Sequence, residues 1–208
     1  MRLASAIAAV ALAASACVRP ARPLTGVPAP ARLPHAELPA GHTRVVFRWS
    51  YDEGSVGARG DGVARIAAPD SVRLDFFLGG GLGSASAFLI GDSVLVPGGE
   101  ATQRYLPPAP MLWAALGRLA IPPAADTAAR VDGDTLRADI GRDPAWRVTF
   151  VGDRLARLER IEGGRIVEWV RRTPSGDVRY VHEPSQRTLG ISLTRVESTP
   201  PFDASIWP

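Results

Sequence analysis

The sequence predicts a mainly β fold, a curved antiparallel sheet that forms an unclosed half-barrel of about 10 to 11 strands with one apolar helix as its lid or plug. Two observations predict it. Short segments of alternating apolar and polar residues recur between Gly and Asp turns. After the N-terminus only the segment from Tyr105 to Ile121 has clear helical character. The connections show no parallel crossover, so each strand is expected to pair antiparallel with a neighbour.

The alternating segments each place apolar side chains on one face. In the first of them Val45, Phe47 and Trp49 point one way, while Arg44 and Arg48 point the other. The chain around Gly57 should form a weaker strand that lets the sheet bend. The segments with strand character, from which about 10 to 11 strands are expected, cover residues 44–51, 57–67, 71–78, 85–90, 93–96, 102–105, 135–140, 146–151, 154–161, 165–172, 177–183 and 188–196.

Two stretches need separate treatment. In 154–161, Leu155, Leu158 and Ile161 recur at helical spacing, but the glycines on either side limit the segment to the length of a strand, which is the favoured interpretation. Residues 124–129 are expected to be a loop, and 131–134 a hairpin turn.

The helix is predicted at about 109–119. Pro107, Pro108 and Pro110 suit its first turn, where a missing N–H group costs nothing, and Pro122 and Pro123 follow its end. The segment is apolar on nearly all sides. Such a helix cannot lie on a wet surface, so it should cover or fill the concave side of the sheet.

The N-terminus reads as an export signal. Residues 1–16 have one Arg followed by an apolar run too short to span a bilayer, as in a signal peptide. Cys17, the only cysteine, completes Ala14-Ser15-Ala16-Cys17, which resembles the lipobox of lipidated bacterial proteins, although Ala14 departs from the usual Leu. The alternative is an ordinary signal peptide with a chance cysteine. Residues 17–42, rich in Pro and Ala, are expected to be a tether, and residues 43–208 the folded domain.

Composition and motifs argue against several functions. Removal of residues 1–16 lowers the formal charge from +3 to +2, which does not suggest nucleic acid as a partner. The three histidines are scattered, so no metal site or cofactor is expected. Asp132, Asp134 and Asp139 are better explained by turns and a solvent-facing strand position than by calcium. Gly91-Asp92-Ser93-Val94 is similar to the nucleophile block of GDSL-type esterases, but His182 lacks the Asp that should precede it, so no enzyme is predicted.

The order of features resembles the LolA and LolB family of lipoprotein carriers and receptors. The resemblance is carried by the lipobox, the strand Asp70-Ser-Val-Arg-Leu-Asp-Phe76, the Gly-Asp-Ser-Val turn, Tyr105-x-Pro107 and the helix motif Leu112-Trp-x-x-Leu-Gly117. It covers the chain from about Thr43 to the end. It implies an unclosed antiparallel barrel with a helical lid over an apolar cavity.

This resemblance also implies a function. We expect a lipoprotein anchored through Cys17 to the periplasmic face of the outer membrane, which binds acyl chains or lipoproteins for receipt or transfer; a soluble periplasmic carrier is a candidate partner. The alternative is an envelope assembly module with a filled core and no lipid cargo. Leu82 is the candidate for a membrane-inserting loop, or else an incidental leucine in a loose turn. The candidate cavity residues, each of which could instead be plain core, are Phe47, Trp49, Leu74, Phe76, Trp113, Leu116, Val148, Phe150, Tyr180 and Ile191.

Overall fold

The computed structural model describes residues 19–81, 83–97, 103–121, 126–143 and 145–208. The predicted signal peptide, Cys17 and Leu82 lie outside these residues. One helix, α1, covers Ala109–Leu116. The strands are β1 (Val27–Ala29), β2 (His42–Glu53), β3 (Val56–Ala67), β4 (Ser71–Leu78), β5 (Ser84–Ile90), β6 (Ser93–Leu95), β7 (Thr127–Asp132), β8 (Thr135–Ile140), β9 (Ala145–Val151), β10 (Arg154–Glu162), β11 (Arg165–Arg172), β12 (Val178–His182) and β13 (Arg187–Thr199).

All thirteen strands belong to one antiparallel sheet. Strands β7 to β13 lie in chain order, β13 is followed by β2 to β6, and β1 lies beside β7. Within the described residues β1 and β6 form the two free edges and do not pair with each other, so the barrel is open. The predicted fold class is confirmed. The expected count of about 10 to 11 strands was too low.

One uncounted strand lies in the segment that was expected to be a tether. Val27, Pro28 and Ala29 pair with Val131, Arg130 and Ala129 of β7. The carbonyl of Arg19 accepts a hydrogen bond of 2.9 Å from the amide of Ile166. Residues 19–41, which we call the N-terminal strap, therefore lie along the folded body rather than holding it at a distance.

The second strand that was not predicted, β7, lies where no regular structure was expected. Strand β7 occupies 127–132, where a loop and a hairpin turn were predicted; its six residues, TAARVD, include only one large aliphatic side chain, so no alternation shows. The strand expected at 102–105 is not found in its described part, since Gln103 is helical and Arg104 and Tyr105 form a turn. Thr102 lies outside the described residues.

Helix α1 is shorter than predicted. It ends at Leu116 because Gly117 adopts a left-handed conformation, with φ 101°, and its amide bonds to the carbonyl of Ala114. The chain then runs in non-helical form, and the amide of Leu119 bonds to the carbonyl of Ala36 in the N-terminal strap. Residues 117–119 are thus part of the strap contact and not of the helix.

The helix is buried, as an apolar segment requires. It packs against β10, β11 and β12, and Met111 and Trp113 are fully buried. Met111 belongs to a core cluster with the inward side chains of β7 to β12, whereas Leu112 and Trp113 belong to a second cluster with those of β2 to β6. The helix therefore joins the cores of both halves of the sheet.

Candidate binding site

The inner face of the long strands is apolar. Along β2, Val45, Phe47, Trp49 and Tyr51 are at alternate positions and face the side that carries the helix. Because α1 lies over β10 to β12, it leaves part of the inner face of β2 to β5 uncovered. Two cavities remain there, one beside each end of the helix.

The first, which we call the helix-C cavity, has a volume of about 220 Å³. Its wall includes Ala115 and Leu116 from the end of α1, and Leu38 and Pro39 of the N-terminal strap close one side. The other lining residues are Thr43, Val45, Phe47, Ala64, Ile66, Leu74, Arg172, Gly176, Val178, Ile191, Leu193 and Val196. The cavity is thus almost entirely apolar, with one charged side chain at its edge.

The second, the helix-N cavity, has a volume of about 300 Å³. Tyr105 and Leu106, which precede α1, form one wall. The remaining lining residues are Trp49, Tyr51, Val56, Ala58, Phe76, Ala85, Ser86, Ala87, Val96 and Leu189. Both cavities are at or below the lower end of the range of small-molecule sites, about 300 to 1,000 Å³.

Aromatic rings lie between the two cavities. Phe76 contacts Phe47 and Trp49 edge to face, with ring centroids 5.8 Å and 5.6 Å apart. Phe47 lines the helix-C cavity, whereas Trp49 and Phe76 line the helix-N cavity. These three aromatic side chains therefore form an apolar boundary between the two cavities.

A polar network borders the helix-N cavity. Arg187 donates to Oε1 of Glu53 at 3.0 Å and to the carbonyl of Arg104 at 2.5 Å, and the hydroxyl of Tyr51 donates to Glu53. The hydrogen bonds from Arg187 and Tyr51 lower the pKa of Glu53 to about 2. Burial and the bond to Glu53 raise the pKa of Tyr51 to about 12. The network ties β2 and β13 to the chain that leads into the helix.

The comparison with solved structures matches this architecture. The chain is similar to a LolA superfamily protein from Nitrosomonas europaea, with a TM-score of 0.52 and 10% identity over 83% of this chain and 92% of that one. This chain has a LolA-like fold. Two further structures align more weakly: a putative outer membrane lipoprotein-sorting protein domain from Vibrio parahaemolyticus (TM-score 0.46, 4% identity, 79% and 88% covered) and a DUF1329 family protein from Desulfovibrio piger (0.47, 9%, 80% and 89%). No family model and no curated protein matches the sequence.

Within the LolA-like fold, six of the ten predicted cavity residues reach a cavity. Phe47, Leu74, Leu116 and Ile191 line the helix-C cavity, and Trp49 and Phe76 line the helix-N cavity.

The other four, Trp113, Val148, Phe150 and Tyr180, are packed in the core and line neither cavity. The hydroxyl of Tyr180 donates to Glu168 at 2.7 Å, and burial, ahead of the nearby Glu168 charge, raises the pKa of Tyr180. The sequence shows which side chains point inward but not where the helix comes to lie.

Arg172 is a lining residue that the sequence reasoning missed. It is the last residue of β11 and follows the buried Val170 by two positions, so it lies on the inner face. That alternation was the available signal. Its guanidinium lies against the end of the helix, since a Cβ on Gly117 would come within 2.1 Å of its Nη1.

Exposed apolar residues lie at one end of strands β3 and β4 of the LolA-like fold. Val56 begins β3 and is 58% exposed, and Phe77 at the end of β4 is 45% exposed. Leu78, next to Phe77 in the sequence, is also exposed and directly precedes the glycine-rich residues 79–83. The helix-N cavity lies at this same end of the strands, since Val56, Ala58 and Phe76 form part of its wall.

The other motifs have structural roles. Gly91 and Asp92 form the β5–β6 turn, Ser93 is exposed, and His182 bonds to Ser185. Asp139 is paired with Arg147 at 2.6 Å. Within the described ranges no group of three or more His, Cys, Asp or Glu could hold a metal ion. No helix in the described part of the chain is long and apolar enough to cross a bilayer.

Proposed function

We propose that this chain is a lipid-anchored protein that binds acyl chains, free or attached to a lipoprotein, for receipt or transfer at the outer membrane. The observation that carries the proposal is the pair of apolar cavities between the helix and the inner face of a LolA-like sheet. Each is lined almost wholly by aliphatic and aromatic side chains. Such a surface favours hydrocarbon over a small polar metabolite.

The physical basis of binding is transfer of hydrocarbon out of water. Burial of one methylene group contributes about 0.8 kcal/mol, so a few methylene groups in each cavity give useful affinity without a directed bond. Release then needs only a second apolar environment, such as a bilayer. Transfer of this kind requires no catalytic group.

The exposed end of the sheet supports a membrane role. Val56, Phe77 and Leu78 are exposed at the end of strands β3 and β4 where the helix-N cavity lies, and exposed apolar surface supports a contact with membrane or protein. Leu82, in the glycine turn next to them, is proposed to insert into the acyl layer. Cargo could then pass between the cavity and the bilayer without crossing water.

The anchor is proposed to be Cys17, acylated after removal of residues 1–16. Its neighbour Val18 is not the Asp that the resemblance associates with retention at the inner membrane, so the outer membrane is the proposed location. A soluble carrier would deliver the cargo. No other cysteine is present to form a disulfide with this thiol.

A binding measurement tests this function. The mature chain with Cys17→Ser, titrated with a fluorescent fatty acid, should show saturable binding that unlabelled fatty acid competes away. Absence of saturable binding would overturn the proposal and favour an assembly module on the same scaffold. Unfolded protein at the same concentration serves as the control for non-specific adsorption.

A further inference from the structure

Arg172 is the only charged residue among the described residues that line the helix-C cavity. It is partly buried, and the rest of the cavity wall is uncharged and mostly apolar, with Leu116, Leu193 and Val196 among its residues. A charged group in such a place is costly unless an opposite charge or several hydrogen bonds compensate it.

No such compensation comes from the described part of the chain. Arg172 forms no salt bridge there, and its Nε is buried without a hydrogen-bond partner. By contrast Arg187, at the helix-N cavity, is paired with Glu53, and the inner-face Glu168 is bound by Arg160. These two interior charges are thus paired within the chain.

The surroundings of Arg172 destabilise its charged form. Burial, and then the nearby positive charge of Arg154, lower the pKa of Arg172. Arg154 also has a buried nitrogen, Nη1, without a partner among the described residues. The end of helix α1 at Gly117 offers partial negative charge, but no hydrogen bond to it forms.

We propose that Arg172 binds the anionic head group, a carboxylate or a phosphate, of an amphiphile whose acyl chain occupies the helix-C cavity. The proposal rests on the proposed function and adds the charge of the ligand. A guanidinium presents a fixed fork of donors that matches both anions. Arg154 would contribute a second positive charge, and the anion would relieve the repulsion between the two arginines.

A set of ligands with one chain and different heads tests this proposal. Laurate, dodecyl phosphate and dodecanol, titrated calorimetrically into the mature chain carrying Cys17→Ser at about pH 8, where both head groups are ionised, differ only in the head group. At least one of the two anions should bind about tenfold more tightly than dodecanol, and the tighter one identifies the head group. Inorganic phosphate, which has no chain, should bind far more weakly than dodecyl phosphate.

Three variants locate the effect. Arg172→Met should abolish the preference for the anion while dodecanol binding persists, and Arg172→Lys should keep part of it. Arg171→Met removes the same charge from the outer face of the same strand and should change nothing.

Equal affinity for all three ligands, an anion preference that survives Arg172→Met, or phosphate binding as tight as that of dodecyl phosphate would overturn the inference. The first two results would leave the proposed function standing, because the chain would still bind. If none of the three ligands binds and the fluorescent fatty acid does not bind either, both fail.

Discussion

Arg187 lies 3.0 Å from Glu53, and the same guanidinium holds the carbonyl of Arg104. This pair therefore links the first long strand, the last strand and the chain that enters the helix. The carboxylate is charged in the folded protein down to strongly acid pH, since its pKa is lowered from 4.5 to about 2.

Stability should depend on this carboxylate as pH falls. A pKa lowered by folding stabilises the native state above the unfolded value of 4.5, and that contribution is lost as pH falls from 4.5 towards about 2. Glu53→Gln should cost about 1 kcal/mol at neutral pH and flatten the acid limb of the stability curve, measured by urea unfolding. Asp126→Asn, in the exposed pair with Arg142, is the control and should have little effect. An acid limb unchanged in Glu53→Gln would contradict the prediction.

Filling the cavities should abolish acyl binding. Ala115→Phe places a ring in the helix-C cavity and Ala58→Phe places one in the helix-N cavity. The double variant should bind the fluorescent fatty acid at least about tenfold more weakly, because several methylene groups of the ligand could no longer be buried in the cavities. Ala128→Phe, on the exposed face of β7, should bind normally. Wild-type affinity in a folded double variant would place the binding site elsewhere.

The stability of the protein should depend on the side-chain hydrogen bond that joins helix α1 to the β5–β6 turn. The indole nitrogen of Trp113 donates to the carbonyl of Gly91 at 2.7 Å. Trp113→Phe removes that donor and leaves a small cavity, so unfolding should become easier by about 1 to 3 kcal/mol. Trp207→Phe, near the C-terminus, is a matched control with a smaller expected loss. Equal losses in the two variants would argue against the special role of this bond.

The glycine turn should matter for transfer and not for folding. Leu82→Glu should slow transfer of a fluorescent fatty acid to vesicles while leaving binding and the unfolding midpoint unchanged, since a charge resists entry into the acyl layer. Leu95→Glu, exposed on the edge strand β6, is the comparison and should transfer normally. An unchanged rate in Leu82→Glu would exclude insertion of this residue.

The anchor can be tested in cells. Cys17→Ser should abolish incorporation of labelled palmitate and move the protein from the membrane fraction to the soluble fraction. Globomycin should cause the unprocessed form to accumulate. Palmitate incorporation in Cys17→Ser would show that the lipid is attached at another residue.

The fold could be predicted where alternation is regular and not where the register shifts. Strand β10 shows the difference. Leu155, Leu158 and Ile161 recur every three residues, like a helix. The register shift between Leu155 and Arg157 against β9 adds one residue to β10, so Leu155 and Leu158 share a core cluster at a spacing of three. Ile161 belongs to a separate cluster with Ala145 and Ile166, so its place in the pattern does not reflect the same face.

The site was less predictable than the sheet, because cavities are the space that packing leaves. The inward direction of Phe47 and Trp113 follows from local pattern, but only the position of the helix decides that the first borders a cavity and the second does not. The pairing of the N-terminal strap with the sheet was not predicted for a related reason. Val27 to Ala29 pair through backbone groups, and backbone pairing does not require a particular amino-acid composition.

The strap has a consequence for how the protein would sit on a membrane. Only Val18 separates Cys17 from Arg19, whose carbonyl is bonded to Ile166 at the start of β11, and two residues span at most about 7 Å. The linker between an acylated Cys17 and the folded domain would therefore be too short to hold the domain away from the membrane. The domain would lie on the lipid surface. The β10–β11 turn lies at the same end of the strands as the β2–β3 and β4–β5 turns, so the helix-N cavity would open towards the bilayer.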